Sequence, residues 1–442
     1  MYRPNRKLAP SGRPEVSDAT AWLMSLLLTV LLPGAAQATN GLNQIGFGAE
    51  SMGMAGADLA VAQDSSALNT NPAGLSQISG SLLDLNGAIG YLGTTRHKDG
   101  LGNDRANSND IAVLNTMGYA HRLEDMPLTL GIALFAQGGA GNEFKDINTA
   151  FGTQDDMSVL FRVARITPGV SWQLNDKVSL GASLIVTYSD MEQEVFPDTS
   201  YLGPTPETSF FGTKLSDMND LSTGVKLGLM YKPDERLTIG AAYTSQVDLE
   251  LGGGTLVADM TALGLGKVKY RDVEASGLNQ PQELGLGLAY QYSDRLLLAA
   301  ELNWIDWSRA INRSRLTAAD PDNAAAPASL ELVATHDWND QYVLALGMRY
   351  DLADDKVLRF GYNYGKNPIP SSHLSPLMNM CMEHHLTMGM GMKVNQLWRF
   401  DGTLEWDIKK SVTYTNEELP FGPDAETEGS VLALHLRMSR SW

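Results

Sequence analysis

The chain has 442 residues, a formal charge of −18, 43 glycines and only 19% charged residues. That acidity disfavours nucleic acid as a partner, and a single cysteine, Cys381, excludes an internal disulfide. No stretch reaches the ~20 apolar residues that a spanning helix needs. The mean hydropathy of −0.16 still permits a membrane protein, because a transmembrane barrel hides its apolar residues by alternating them with polar ones.

The N-terminus reads as an export signal. Arg3, Arg6, Lys7 and Arg13 precede an apolar core from Trp22 to Leu32, and Ala36-Gln37-Ala38 is a small-x-small cleavage site. The core is too short for a membrane anchor. Three parts follow: 1–38 as signal peptide, 39–80 as a segment of small residues without strand alternation, and 81–442 as strands.

Period-two alternation predicts fourteen strands: 82–93, 109–122, 127–138, 157–173, 177–191, 218–232, 235–250, 280–293, 295–306, 339–351, 355–365, 383–395, 397–410 and 430–442. Their connections alternate in length. Short turns fall at Leu123–Met126, Asn175-Asp176, Pro233-Asp234, Ser293-Asp294, Ala353-Asp354 and Asn395-Gln396, where Asn, Asp and Pro favour tight reversals. The connections 94–108, 139–156, 192–217, 251–279, 307–338, 366–382 and 411–429 are long and polar. Short periplasmic turns and long outer loops are the pattern of an outer-membrane barrel. The fold class is therefore all-β, a 14-stranded antiparallel transmembrane β-barrel.

Faces follow from the alternation. In 397–410, Trp398, Phe400, Leu404, Trp406 and Ile408 oppose Arg399, Asp401, Thr403, Glu405 and Asp407. In 235–250, Leu237, Ile239, Ala241, Tyr243 and Val247 oppose Thr238, Thr244, Gln246, Asp248 and Glu250. Lys or Arg on the lipid face at mid-bilayer costs roughly 2–4 kcal/mol, so the polar faces belong in the lumen. Trp304, Trp307, Trp338, Trp398, Tyr362 and Tyr364 lie towards strand ends and suit the membrane interface. The even-numbered methionines 378, 380, 382, 388, 390 and 392 fall on one face with Leu386, as a lipid- or ligand-facing stripe. A soft metal site with Cys381, His384 and His385 is the weaker reading, and no metal or cofactor is expected. His121, His336 and His435 sit on separate elements, and no Ser nucleophile motif accompanies them, so no enzyme is expected.

The segment 39–80 carries an ordered series: Asn40-Gly41-Leu42, Ile45-Gly46-Phe47-Gly48, Ser51 to Ala57, Asp64-Ser65-Ser66-Ala67 and Asn71-Pro72-Ala73-Gly74. With Thr167-Pro168, the Trp304–Ser308 stretch and the terminal Trp442, this series resembles the FadL family of outer-membrane transporters for long-chain fatty acids and other hydrophobic compounds. The resemblance covers essentially the whole chain after residue 38. It implies that 39–80 is a hatch blocking the lumen. Asn71, Pro72, Ala73 and Gly74 match the hatch motif, and Gly46, Gly48, Gly53 and Gly56 belong to the same region. The motif also reads simply as a turn entering the first strand.

The resemblance further implies capture of a ligand at the outer loops and its sideways release beside a kink in the third strand. Gly138, Gly139 and Gly141 stand where that strand is predicted to end. Phe196, Phe210, Phe211, Leu256 and Leu263 in the long loops would be exposed capture residues. Alternation places Arg349, Arg359, Arg399 and Arg437 in the lumen, where they would bind a carboxylate or pair with Glu301, Asp401, Glu405 or acids of the 39–80 segment such as Glu50, Asp58 and Asp64. The expected protein is a monomeric outer-membrane transporter, with a hydrophobic small molecule as ligand and outer-membrane lipid and lipopolysaccharide as neighbours. The alternative is a gated general porin for small polar solutes.

Overall fold

A computed structural model describes residues 40–205 and 208–442. The expected export signal lies outside them. Fourteen strands form a closed antiparallel barrel: β1 (Ser81–Tyr91), β2 (Ile111–Arg122), β3 (Leu128–Asn148), β4 (Gln154–Gln173), β5 (Val178–Tyr201), β6 (Phe210–Tyr231), β7 (Leu237–Thr244), β8 (Glu283–Ser293), β9 (Leu296–Ile305), β10 (Gln341–Ala353), β11 (Lys356–Gly365), β12 (His384–Lys393), β13 (Trp398–Tyr414) and β14 (Ala425–Ser441). Closure comes from β1 pairing with β14, from Leu82 opposite Ser441 to Tyr91 opposite Leu432. The terminal alternation thus joins the last strand to the first. Among the described residues, no helix is long and apolar enough to cross a membrane.

The lipid face is where alternation places it. Leu432, Leu434 and Leu436 on β14, and Leu404 and Trp406 on β13, point outward, whereas Asp401, Thr403, Glu405 and Asp407 are buried inside. Met388, Met390 and Met392 also face outward on β12. Met380 and Met382 instead lie buried in the connection before β12, so the six methionines do not share one face.

The strands run further than predicted on the long-connection side. The stretches 139–156 and 192–217, expected as loops, mostly continue β3, β4, β5 and β6. Beyond the membrane the outer face meets water, so the polarity inverts. On β5, Leu180, Leu184 and Tyr188 are exposed among buried Ser183 and Thr187, whereas higher up Glu192 is exposed and Met191 and Phe196 are buried. An inverted pattern of this kind reads as a loop when one polarity is assumed throughout.

The interior at that level is apolar. Leu42, Phe144, Phe161, Val163, Phe196, Leu251, Trp307 and Trp338 belong to one buried cluster. Trp307 and Trp338 therefore are not interface residues; their rings meet edge to face at 5.2 Å inside the wall. Val247, expected on the outer face of a longer seventh strand, is fully buried, because β7 ends at Thr244 and Val247 pairs with Gln280 instead.

Candidate functional site

Side chains and amides of residues 40–80 bond to several strands, among them β6, β9, β11 and β14. They form a short helix, Gly48–Met52, and two 3-10 turns, Ser65–Leu68 and Pro72–Gln77. Asn71 caps the second turn: its Oδ1 accepts from the Ala73 amide at 3.2 Å, and Pro72 occupies the first helical position. The Asn71 amide nitrogen donates to Leu59 O at 2.7 Å and to Leu229 O of β6 at 3.0 Å. The turn sits hard against the wall. A methyl group at Gly181 would stand 2.2 Å from Ala73 N, and one at Gly228 would stand 2.1 Å from Asn71 Oδ1. Gly74 is equally tight, since a methyl there would come 2.5 Å from Ala62 O.

On the other side a charge network holds Glu50. Its carboxylate receives Arg359 at 2.7 Å and Arg437 at 2.7 Å, with Arg399 at 3.8 Å. Arg359 also meets Asp401 at 2.9 Å, and Arg437 reaches Asp84 at 2.7 Å, Asp401 at 3.2 Å and Asp64 at 3.4 Å. Burial would raise the Glu50 pKa, but the three guanidiniums outweigh it and hold the carboxyl well below its ordinary range. Asp64 goes the other way, because burial and the nearby Asp84 and Glu50 outweigh Arg437 and push it up to about 6. Arg359, Arg399 and Arg437 thus pair with acids rather than stand open to a ligand. Arg349 lies 3.5 Å from Asp351 and lines a polar vestibule of about 440 Å³ with Arg399, Asp354 and Lys393 at the short-turn end.

The third strand departs from the second. β2 and β3 pair only from Thr116–Phe135 to Arg122–Thr129, and β3 bulges between Ala136 and Gly138. Gly138 and Gly139 have φ of 153° and 144°, which side chains other than glycine rarely adopt. At Gly139 a methyl would also stand 2.0 Å from Phe161 O. Above the kink, Ile111 to Leu114 pair with β1 but take no part in the ladder with β3. The wall is joined again where Ser108 N donates to Glu143 O at 2.8 Å. Residues 40–80 reach this break: Asn43 bridges to Gly138, and the Gln44 side chain donates to Ala136 O at 2.5 Å. Gly141 lies at its upper rim, where its carbonyl accepts from Asn109 at 3.4 Å.

The apolar cluster opens onto the same level through Phe161, Val163 and Leu42. Phe196 and Leu256, expected on an exposed capture surface, are instead buried in this cluster, and Phe210 and Phe211 are partly buried against it. Leu263 remains exposed.

The family profile described as outer membrane protein transport protein (OMPP1/FadL/TodX) matches residues 26–439. The chain belongs to this family. It is an outer-membrane transport protein of the hydrophobic-compound class, not an enzyme. It is 26% identical to outer membrane protein P1 of Haemophilus influenzae over 385 residues, which is 77% of this chain and 80% of that protein. The fold is that of the Pseudomonas putida toluene transporter TodX (22% identity, TM-score 0.73, covering 90% of this chain and 99% of that one). A Pseudomonas aeruginosa FadL homologue shares it too (17% identity, TM-score 0.71, covering 91% and 99%).

Within this FadL/TodX barrel, two inward cations fall outside the four arginines singled out from sequence. Arg165 of β4 and Lys226 of β6 are both buried. They line a cavity of about 80 Å³ between residues 40–80 and the wall, with Asn43, Asp58, Glu283 and Glu301. The signal was present, because Arg165 shares the parity of Phe161, Val163 and Thr167, all buried. It stood on an early strand, in the middle of an apolar run.

Proposed function

We propose that this protein takes up long-chain fatty acids or related hydrophobic compounds and passes them sideways into the outer membrane. Residues 40–80 act as the hatch, with Asn71-Pro72-Ala73 seated on Gly181 and Gly228. A ligand enters the apolar cluster at the outer end and meets the hatch below, leaving by the break in the wall beside Gly138. The observation that carries this reading is that break: the ladder between β2 and β3 begins only at Thr116, and Ile111 to Leu114 have no place in it, at the height where Asn43 and Gln44 reach β3. Lateral exit keeps an apolar ligand out of water, whereas a route past the hatch crosses the charged surroundings of Glu50. Moving apolar surface into water costs about 25 cal/mol per Å², so the bilayer is the favourable destination. The single barrel is the transport unit, and membrane lipid receives the cargo.

Deleting Gly138 removes the bulge and lets β3 continue its ladder with β2. Uptake of labelled oleate by cells carrying this variant is expected to fall at least about tenfold, a barrier increase of roughly 1.4 kcal/mol or more, with heat-modifiable barrel assembly unchanged. Normal uptake by an assembled variant would remove the lateral route.

A further inference from the structure

We propose that the connection between β11 and β12, residues 366–382, is an outer gate of the uptake path: its middle occupies the apolar interior in place of cargo and is displaced when a ligand enters. The inference rests on the uptake reading above.

The sequence of this connection reads as a long polar loop, yet its middle turns inward. Leu374, Met380, Cys381 and Met382 are fully buried, and Leu377 is nearly so. Leu374, Leu377 and Met380 join the apolar cluster that contains Phe144 and Phe161. Cys381 and Met382 enter a second buried cluster with Leu92, Ala112, Val431 and Ala433. Ala112 lies in the stretch 111–114 that takes no part in the ladder with β3. One loop thus touches both ends of the route, the apolar interior and the inner side of the wall break.

Asparagine side chains clamp it there. Asn142 of β3 donates to Pro376 O at 3.2 Å and to Leu377 O at 3.0 Å. Asn379 donates to Thr427 Oγ1 at 2.6 Å and to Glu428 O at 3.1 Å, both on β14, and Asn416 donates to Leu374 O at 3.2 Å. Asn142 follows Gly141, so its clamp ties the loop to the upper rim of the break. The foot of the loop is fixed separately: Glu383 accepts from the Asn367 amide at 2.9 Å and meets Lys410 at 2.6 Å.

Clamps of this kind can let go without breaking a rung of the barrel ladder, which is how a segment opens locally while the wall stays closed. The loop also competes with cargo in kind. A hydrophobic ligand seated in the cluster covers the apolar wall that Leu374, Leu377 and Met380 leave behind. Such a ligand binds the displaced state better than the seated one, and that difference is what shifts the gate.

The test locks the loop to the wall. Asn379→Cys and Thr427→Cys are combined in a Cys381→Ala background, and uptake of labelled oleate by cells is compared with the new thiols oxidised and reduced. Oxidation should lower uptake at least about tenfold relative to the reduced form, and reduction should restore it. Equal uptake by the two forms would overturn the gate. A second measurement needs no substitution, because Cys381 is fully buried in the seated loop. Its labelling by a maleimide in the wild-type protein should speed up at least about tenfold when oleate is added, and an unchanged rate would likewise overturn the gate. Wild-type cells that take up no oleate would instead overturn the uptake reading.

Discussion

A protein lacking residues 40–80 should assemble as a heat-modifiable barrel and show a large, steady conductance in planar bilayers, where the full chain is nearly silent. The wall does not need the segment to close, because β1 and β14 pair directly along ten residue positions. On the proposed reading, what the segment supplies is filling. It brings Met52, Met54, Leu59, Leu68 and Leu75 into the lumen, all nearly fully buried, and it supplies the Glu50 carboxylate to three arginines. Without it the lumen is lined by Asp84, Arg359, Asp401 and Arg437, a hydrated charged surface suited to ions. Single-channel recording decides the matter. An unchanged conductance would mean that residues 40–80 do not obstruct the pore.

Replacing Glu50 by Ala should loosen the same segment without removing it. Arg359 is fully buried and Arg437 nearly so. Removing one partner from a buried ionic cluster costs about 3–5 kcal/mol; Asp401 and Asp84 remain as partners, so about 3 kcal/mol is expected here. The variant should flicker between closed and conducting states and should expose residues 40–80 to protease. A variant as silent and resistant as wild type would mean that the cluster does not hold the segment.

Acidity acts through the same groups, with opposite signs. Glu50 has a depressed folded pKa, so its contribution is present above the ordinary carboxylate value and is lost as pH falls through the depressed one. Asp64 is raised to about 6, so its ionised form opposes docking above that pH and the opposition fades as pH falls towards the ordinary value. Docking should therefore be firmest near pH 4–5, weaken modestly at neutral pH and fail in stronger acid. Protease accessibility of the segment across pH 3 to 8 reads this directly. A monotonic profile would contradict the two-group account.

The membrane-facing part of this barrel was legible because lipid imposes one polarity rule. Leu432, Leu434 and Leu436 obey it, as do Leu404 and Trp406. Above the membrane that rule reverses, which is why Phe196 and Leu256 looked like exposed loop residues and are buried, and why Trp307 and Trp338 looked like interface residues. The small residues of 40–80 announced close packing, but not what they pack on. Gly181 and Gly228 matter only because Pro72 and Ala73 come against them from more than a hundred residues away in sequence. Alternation alone could not tell that Arg359, Arg399 and Arg437 are already paired with acids, because their partners Glu50 and Asp64 lie in a segment without strand periodicity.

The most direct measurement is a structure of the protein with a long-chain fatty acid brominated near its methyl end. The account predicts anomalous bromine density in the wall break between residues 111–114 and 136–141. Bromine density instead beside Glu50 and Arg399, in the vestibule at the short-turn end, would place the exit through the hatch and contradict lateral release.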